Sequence, residues 1–211
     1  MNWPNCWLVN PVSLFKPVVD DSLAIASTEA VVNDMRHWLE RAVIGLNLCP
    51  FAKAVHVKGQ VYYAVSSAQS PEQLLQDLRV QCQELVHISA QERETTLLMA
   101  PWCLSNFLDF NDFLHEADNL LIELELDGVL QVASFHPDFQ FAGTKQDDVS
   151  NLTNQAPYPT LHLLREESID RAVEAFPEAE SIFEANIQTV EALGHAGWQA
   201  LGLKRSISHE K

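Results

Sequence analysis

VLQVASFHPDFQFAGTKQDDVSNLTNQAPYPTLHLLR, residues 129–165, holds two apolar runs joined by a long polar connection, and the direction in which the second run returns decides the fold. VLQVASF at 129–135 and TLHLLR at 160–165 both read as strands: short and rich in residues that suit a pleated, half-buried surface. Connections in compact domains usually run about 4–6 residues, and structureless ones beyond about 12–15 are as a rule functional or disordered. HPDFQFAGTKQDDVSNLTNQAPYP, residues 136–159, exceeds that length and carries Phe139, Phe141 and Tyr158, which can anchor it to a core. A parallel return normally needs a crossover helix, and this connection has no helical pattern, so an antiparallel return is favoured. The start of the second run then lies beside the end of the first, and His162 comes back toward His136. A parallel return would leave the two histidines at opposite edges.

Outward from this pair, the pattern alternates between helix and strand. Residues 1–27 form a proline-punctuated extension, either packed through Trp3, Trp7 and Phe15 or disordered, and the single globular domain is expected over 28–205 with a tail at 206–211. From Thr28, Val31, Met35, Trp38, Leu39, Ala42 and Leu46 recur at helical spacing, and Pro50 stops that helix near Asn47. VYYAV at 61–65 reads as a strand. SPEQ at 70–73 has the form of a capping box with Pro71 at the first helical position, opening a helix to about Val86. TTLLMAP at 95–101 contains a buried strand, and Asn106 can cap a helix with a broad apolar face from Phe107 to Leu121. Two helices close the chain, at about 168–175 and from Pro177 to about 193. The expected fold is an α/β layered sandwich: a mostly parallel sheet of about four strands, the first three paired in parallel, with helices packed on it.

The 211 residues are 47% hydrophobic, a globular composition with enough chain for one substantial core. A formal net charge of −16, spread along helical segments, repels nucleic acid and anionic membrane, so neither is an expected partner, while a local pocket stays free to bind a small molecule. Cys6, Cys49, Cys82 and Cys103 are widely separated, with no paired spacing for a disulfide framework or a zinc finger, and a reducing cytoplasm is the expected setting. The N-terminus has no signal-peptide pattern, and no stretch approaches the roughly 20 apolar residues that span a bilayer. Nothing indicates the oligomeric state.

Open α/β sheets bind ligands outside the carboxyl ends of parallel strands. That edge is expected to gather Ser66 and Ser67, Trp102 and Cys103, and His136, with the 136–159 connection closing over it. Period-two alternation puts Thr160, His162 and Leu164 on one sheet face and Leu161, Leu163 and Arg165 on the other. Arg165 is expected to pair with Glu166, Glu167 or an acidic helix residue. Asp148, Asn151 and Asn154 supply oxygens and amides within the connection, although such residues more often cap turns than touch ligands. In NLCPFAK, residues 47–53, Cys49 is inert if it ends a helix and activated if it begins one.

Several long segments carry a resemblance. WLERAVIGLNLCPFAKAV at 38–55, FLDFNDFL at 107–114, SFHPDFQFAGT at 134–144 and SNLTNQAPYPTLHLLREESIDRAV at 150–173 closely resemble the bacterial proteins grouped as domain of unknown function 1415. The resemblance implies that Cys49, Pro50, His136, Pro137, Asn151, Asn154, Pro157, Pro159, His162 and Arg165 belong to family-defining motifs. It brings no established activity. The family pattern resembles NRSPYP where this chain reads NQAPYP at 154–159, so Gln155 replaces an arginine, and Cys103 looks particular to this chain.

Two functional expectations follow. In the first, an enzyme acts on a small polar or anionic substrate, with Cys49, His136 and His162 as nucleophile, base and partner, and Asn151, Asn154, Asp148 and Arg165 binding the ligand. The same three residues are the candidate ligands for a transition metal such as zinc or iron. In the second, the connection is the binding surface of a non-catalytic module for a small molecule or a protein.

Overall fold

The computed structural model describes residues 21–175 and 181–207. Its elements are α1 (Asp21–Trp38), a π-helical turn (Leu39–Ile44), α2 (Ala52–Val57), β1 (Val61–Val65), α3 (Pro71–His87), β2 (Thr95–Met99), α4 (Phe107–Glu123) and β3 (Leu130–Phe135). A 3-10 turn (Val149–Asn154), β4 (Thr160–Arg165), α5 (Glu166–Ala175) and α6 (Ile182–Ala200) complete the chain. α1 starts at Asp21, ahead of Thr28, where the helical pattern was expected to begin. Residues 1–20 of the expected extension, Pro177, and residues 208–211 of the expected tail lie outside the described residues.

Local signals place most of these ends. Ser70 accepts a hydrogen bond from the Gln73 N–H at 3.4 Å, while the Gln73 side chain reaches back to the Gln69 N–H at 2.9 Å, a reciprocal cap shifted by one residue from the usual box. Asn106 accepts from Leu108 and Asp109 N–H groups and starts α4. The first long helix widens into the π turn after Trp38 and closes with Asn47 in the left-handed region, three residues ahead of Pro50. Gly194, at φ 63°, kinks α6 where its first stretch was expected to stop, and the helix resumes to Ala200.

The sheet order is β1-β2-β4-β3. β1 and β2 pair in parallel, but β4 runs antiparallel to both β2 and β3 and separates them. The antiparallel return of β4 is therefore present, whereas the expectation of a mostly parallel sheet is corrected: two of the three pairings are antiparallel. The reason is burial. Every residue of β2 is buried, and β4 buries Leu161 and Leu163 completely, so these two strands take the centre. β1 and β3 expose Tyr62 and Gln131 and take the edges.

Two layers of helix cover the sheet. On one face α3 and α4 pack Leu74, Leu78, Leu85, Phe110, Phe113 and Leu120 against Leu98, Leu130, Leu161 and Leu163. On the other, Val31, Met35, Trp38, Leu39 and Ala42 of α1 and its π turn meet Leu97, Met99 and Tyr158. Truncating a fully buried leucine such as Leu98 or Leu161 to alanine costs about 2–5 kcal/mol at sites of this kind. α6 packs its Val190 with Leu48 and Leu152, against the 3-10 turn.

Candidate functional site

The 136–159 connection is ordered by its own polar groups. Asn151, fully buried, uses its whole amide: Oδ1 accepts from the Phe141 N–H at 3.0 Å and the Thr144 hydroxyl at 2.9 Å, and Nδ2 donates to the carbonyls of Lys145 and Gln146. Asp148 caps the 3-10 turn by accepting from the Ser150 N–H and hydroxyl, which holds its carboxyl below the usual range. Asn154 accepts from the Thr153 hydroxyl, and its carbonyl takes the N–H of His136. Tyr158, fully buried, donates to Asp34 at 2.7 Å, and the Trp38 indole donates to the Gln155 carbonyl at 2.8 Å, pinning the connection to α1. Phe139 packs on Phe107, and Phe141 packs between Phe139 and Phe183. From α6, His195 hydrogen-bonds the Asp147 carbonyl at 2.9 Å.

His136 closes this unit from inside. It is fully buried against Phe107 and Phe110 of α4. The Asp138 N–H donates to Nδ1 at 3.0 Å, so Nδ1 carries no proton and Nε2–H donates to the Leu104 carbonyl at 3.1 Å. Both ring nitrogens are thereby occupied by backbone, and burial pushes the pKa down. The bond to Leu104 holds a residue whose own φ is positive, 54°.

His162 occupies different ground. It pairs across the sheet with Leu97 of β2 and Ala133 of β3, and its ring points to the α1 face, away from α4. A cavity of about 400 Å³ opens there between the sheet and α2 and α5, within the range of small-molecule sites. Its floor is Val61, Leu97, Ala133, Phe135 and Leu164; its walls are Trp38, Leu39 and Val43, then Phe51, Ala52 and Val55, and Ile169, Ala172 and Val173 of α5. Six polar or sulfur-bearing residues interrupt this lining: Cys49, Glu94, Thr95, His162, Arg165 and Ser168.

The protonation of His162 follows from its neighbour. The Thr95 hydroxyl donates to the Leu163 carbonyl at 2.6 Å, which uses its only proton. Its 2.8 Å contact with Nε2 of His162 must then be a bond donated by Nε2–H. Burial holds this imidazole neutral, its pKa pushed down to about 4.

The arrangement thus unites Cys49 and His162 in one cavity and leaves His136 on the other sheet face. Among the described residues no group of three or more His, Cys, Asp or Glu is placed to hold a metal ion, so the expected ligand trio of Cys49, His136 and His162 does not assemble. None of residues 136–159 lines the cavity; Pro137, Gln155, Ala156 and Pro157 instead border a smaller cleft of about 170 Å³ with Trp198, Lys204 and Arg205. The expectation that the connection walls a pocket between the two histidines is corrected accordingly. Likewise the carboxyl edge of the parallel strands is filled: Ser66 donates to Asp77 at 2.6 Å, and Cys103 is buried, its thiol pKa raised by desolvation. Insertion of β4 removes the crevice between adjacent parallel strands on which that rule depends.

Arg165 is also placed differently from expectation. Among the described residues it pairs with no carboxylate; its Nη2 lies 2.8, 2.7 and 2.9 Å from the carbonyls of Leu85, Ile88 and Arg93, and its buried Nε has no partner. Those of Leu85 and Ile88 lie at the C-terminal end of α3, where helical carbonyls lack intrahelical donors. Thr95 and the α5 face are the parts of the site that sequence reading misses. Alternation within TTLLM gave no reason to single out its first threonine, and the apolar spacing of Ile169, Ala172 and Val173 reads as ordinary core.

The fold is a four-stranded mixed α/β domain with a largely apolar cavity between sheet and helices. The chain belongs to a protein family of unknown function, DUF1415, whose model matches residues 30–200. No curated protein and no solved structure matches it. Among the described residues no helix is long and apolar enough to cross a membrane.

Proposed function

We propose that this protein binds an apolar small molecule in the cavity between the sheet and helices α2 and α5, with His162 as its main polar contact. The observation that carries this reading is the cavity of about 400 Å³ whose floor and walls are almost wholly aliphatic and aromatic. Such a lining favours an apolar skeleton over the small polar or anionic substrate expected from sequence, because apolar walls return nothing for the water stripped from polar groups, and Arg165 is the single cation among the described residues that line it. The test is fluorescence titration with the apolar dye Nile red, on the native protein and on Ala133→Phe, which puts a ring on the cavity floor. Saturable binding by the native chain that Ala133→Phe abolishes supports the reading; equal binding by both sinks it.

A catalytic version of the same site is favoured by one specific feature, the presence of Cys49 in the cavity with a neutral imidazole. A thiol and a base in one water-poor site form the pairing used in nucleophilic catalysis. On this version Cys49 reacts with iodoacetamide several-fold faster in the native protein than in His162→Phe. Identical rates would remove the histidine from any role in activating the thiol.

A further inference from the structure

We propose that the ligand of this cavity carries a hydroxyl or N–H donor that hydrogen-bonds to Nδ1 of His162, so that the site selects donor-bearing apolar molecules over ethers, esters and carboxylates of similar skeleton. The proposal rests on the apolar-ligand reading above and adds the polar group the ligand must present. Its basis is a chain of proton assignments. The Leu163 carbonyl accepts the Thr95 hydroxyl proton at 2.6 Å, leaving the Thr95 oxygen as an acceptor toward His162 at 2.8 Å. Nε2 therefore holds the ring proton, and Nδ1 presents a bare lone pair. Nδ1 has no hydrogen-bond partner within the described chain, yet it is not among the sealed polar atoms that lack one, so a molecule in the cavity can reach it.

A lone pair set among apolar walls discriminates by sign. A ligand hydroxyl satisfies it, whereas an ether or ester oxygen faces it acceptor to acceptor and leaves both groups unpaired. A carboxylate oxygen also meets the lone pair acceptor to acceptor, and Glu94 adds a negative charge to the lining, while Arg165 serves its three carbonyls through Nη2 alone. Thr95 acts as a positioning residue: by consuming its own proton on the backbone it fixes which face of the imidazole can accept.

The experiment is displacement of Nile red by decanol, decyl methyl ether and decanoate at neutral pH. Decanol should bind about tenfold more tightly than the ether, the effect of one net hydrogen bond with a penalty for the unpaired alternative, and more tightly than decanoate. His162→Phe should bring decanol and the ether level. Thr95→Val, which releases the ring to either tautomer, should narrow the ratio without abolishing dye binding. Equal affinity for decanol and ether in the native protein overturns the proposal while leaving the apolar cavity standing. Failure of the dye and of all three ligands to bind overturns the cavity reading and this proposal with it. Should the variants not fold, long-range proton–nitrogen spectra of the native histidines decide: Nδ1 of His162 unprotonated at neutral pH is expected, and a proton on Nδ1 refutes the proposal.

Discussion

His136 and His162 stand near each other along the same pair of strands and face opposite sides of the sheet, and the contrast between them separates a structural corner from a site. His136 is sealed, with backbone at both nitrogens and aromatic rings of α4 against it. His162 is tied at one nitrogen and open at the other to a cavity. Burial lowers the pKa of both, so titration alone does not distinguish them. The lesson is that the histidine with an unspent valence, not the more buried one, is where a ligand has something to bind.

The largest expected loss lies on the side of His136 and the connection it closes. Asn151→Ala removes four hydrogen bonds and strands the half-buried Phe141 N–H, and it should cost about 3–4 kcal/mol in denaturant unfolding. A loss below about 1 kcal/mol would show that the connection is not held from within. Acid comes next. The folded pKa of His162, about 4, lies below the 6.5 of an unperturbed histidine, so between these values the unfolded chain binds more protons. Stability should accordingly fall as pH drops through 6.5, with the loss complete near 4 and on the order of 2–3 kcal/mol; His136 acts in the same direction. His162→Phe should shrink that loss, which urea unfolding across this pH window measures.

Smaller effects sharpen the contrast. His136→Phe should cost about 2 kcal/mol by leaving the Asp138 N–H and Leu104 carbonyl unpaired, with Nile red affinity unchanged. A variant that folds but loses the dye would tie His136 to the cavity after all. Ala133→Phe should change stability by less than about 1 kcal/mol, because the new ring fills existing space, while dye binding disappears. A large destabilisation would mean that the cavity floor cannot accept a ring, and the block would need placing at Leu164.

The local elements are legible in the sequence. The strand runs expected at 61–65, 95–101, 129–135 and 160–165, the caps at Ser70 and Asn106, and the antiparallel return after 159 all follow from local chemistry and are present, with β2 ending at Met99 and β3 starting at Leu130. Face alternation in TLHLLR correctly separated His162 from Leu161 and Leu163. The partners of Arg165 are not legible locally: the nearest carboxylates in sequence are Glu166 and Glu167, while the carbonyls it serves belong to residues 72 to 80 positions away. The His136–His162 pocket was misplaced for a related reason: a register places residues along a strand pair, but His136 lies past the end of β3 and turns to α4.

By itself, then, the sequence determined the elements, most of their ends, the net negative charge and the family motifs, because these depend on composition or on neighbours within a few residues. Only the tertiary structure decided that β4 slides between β2 and β3, which sheet face each histidine meets, and that α2 and α5 leave a cavity over His162. Those outcomes depend on pairing and packing among segments up to a hundred residues apart. The burial of β2 and β4 together outweighed the simpler parallel order.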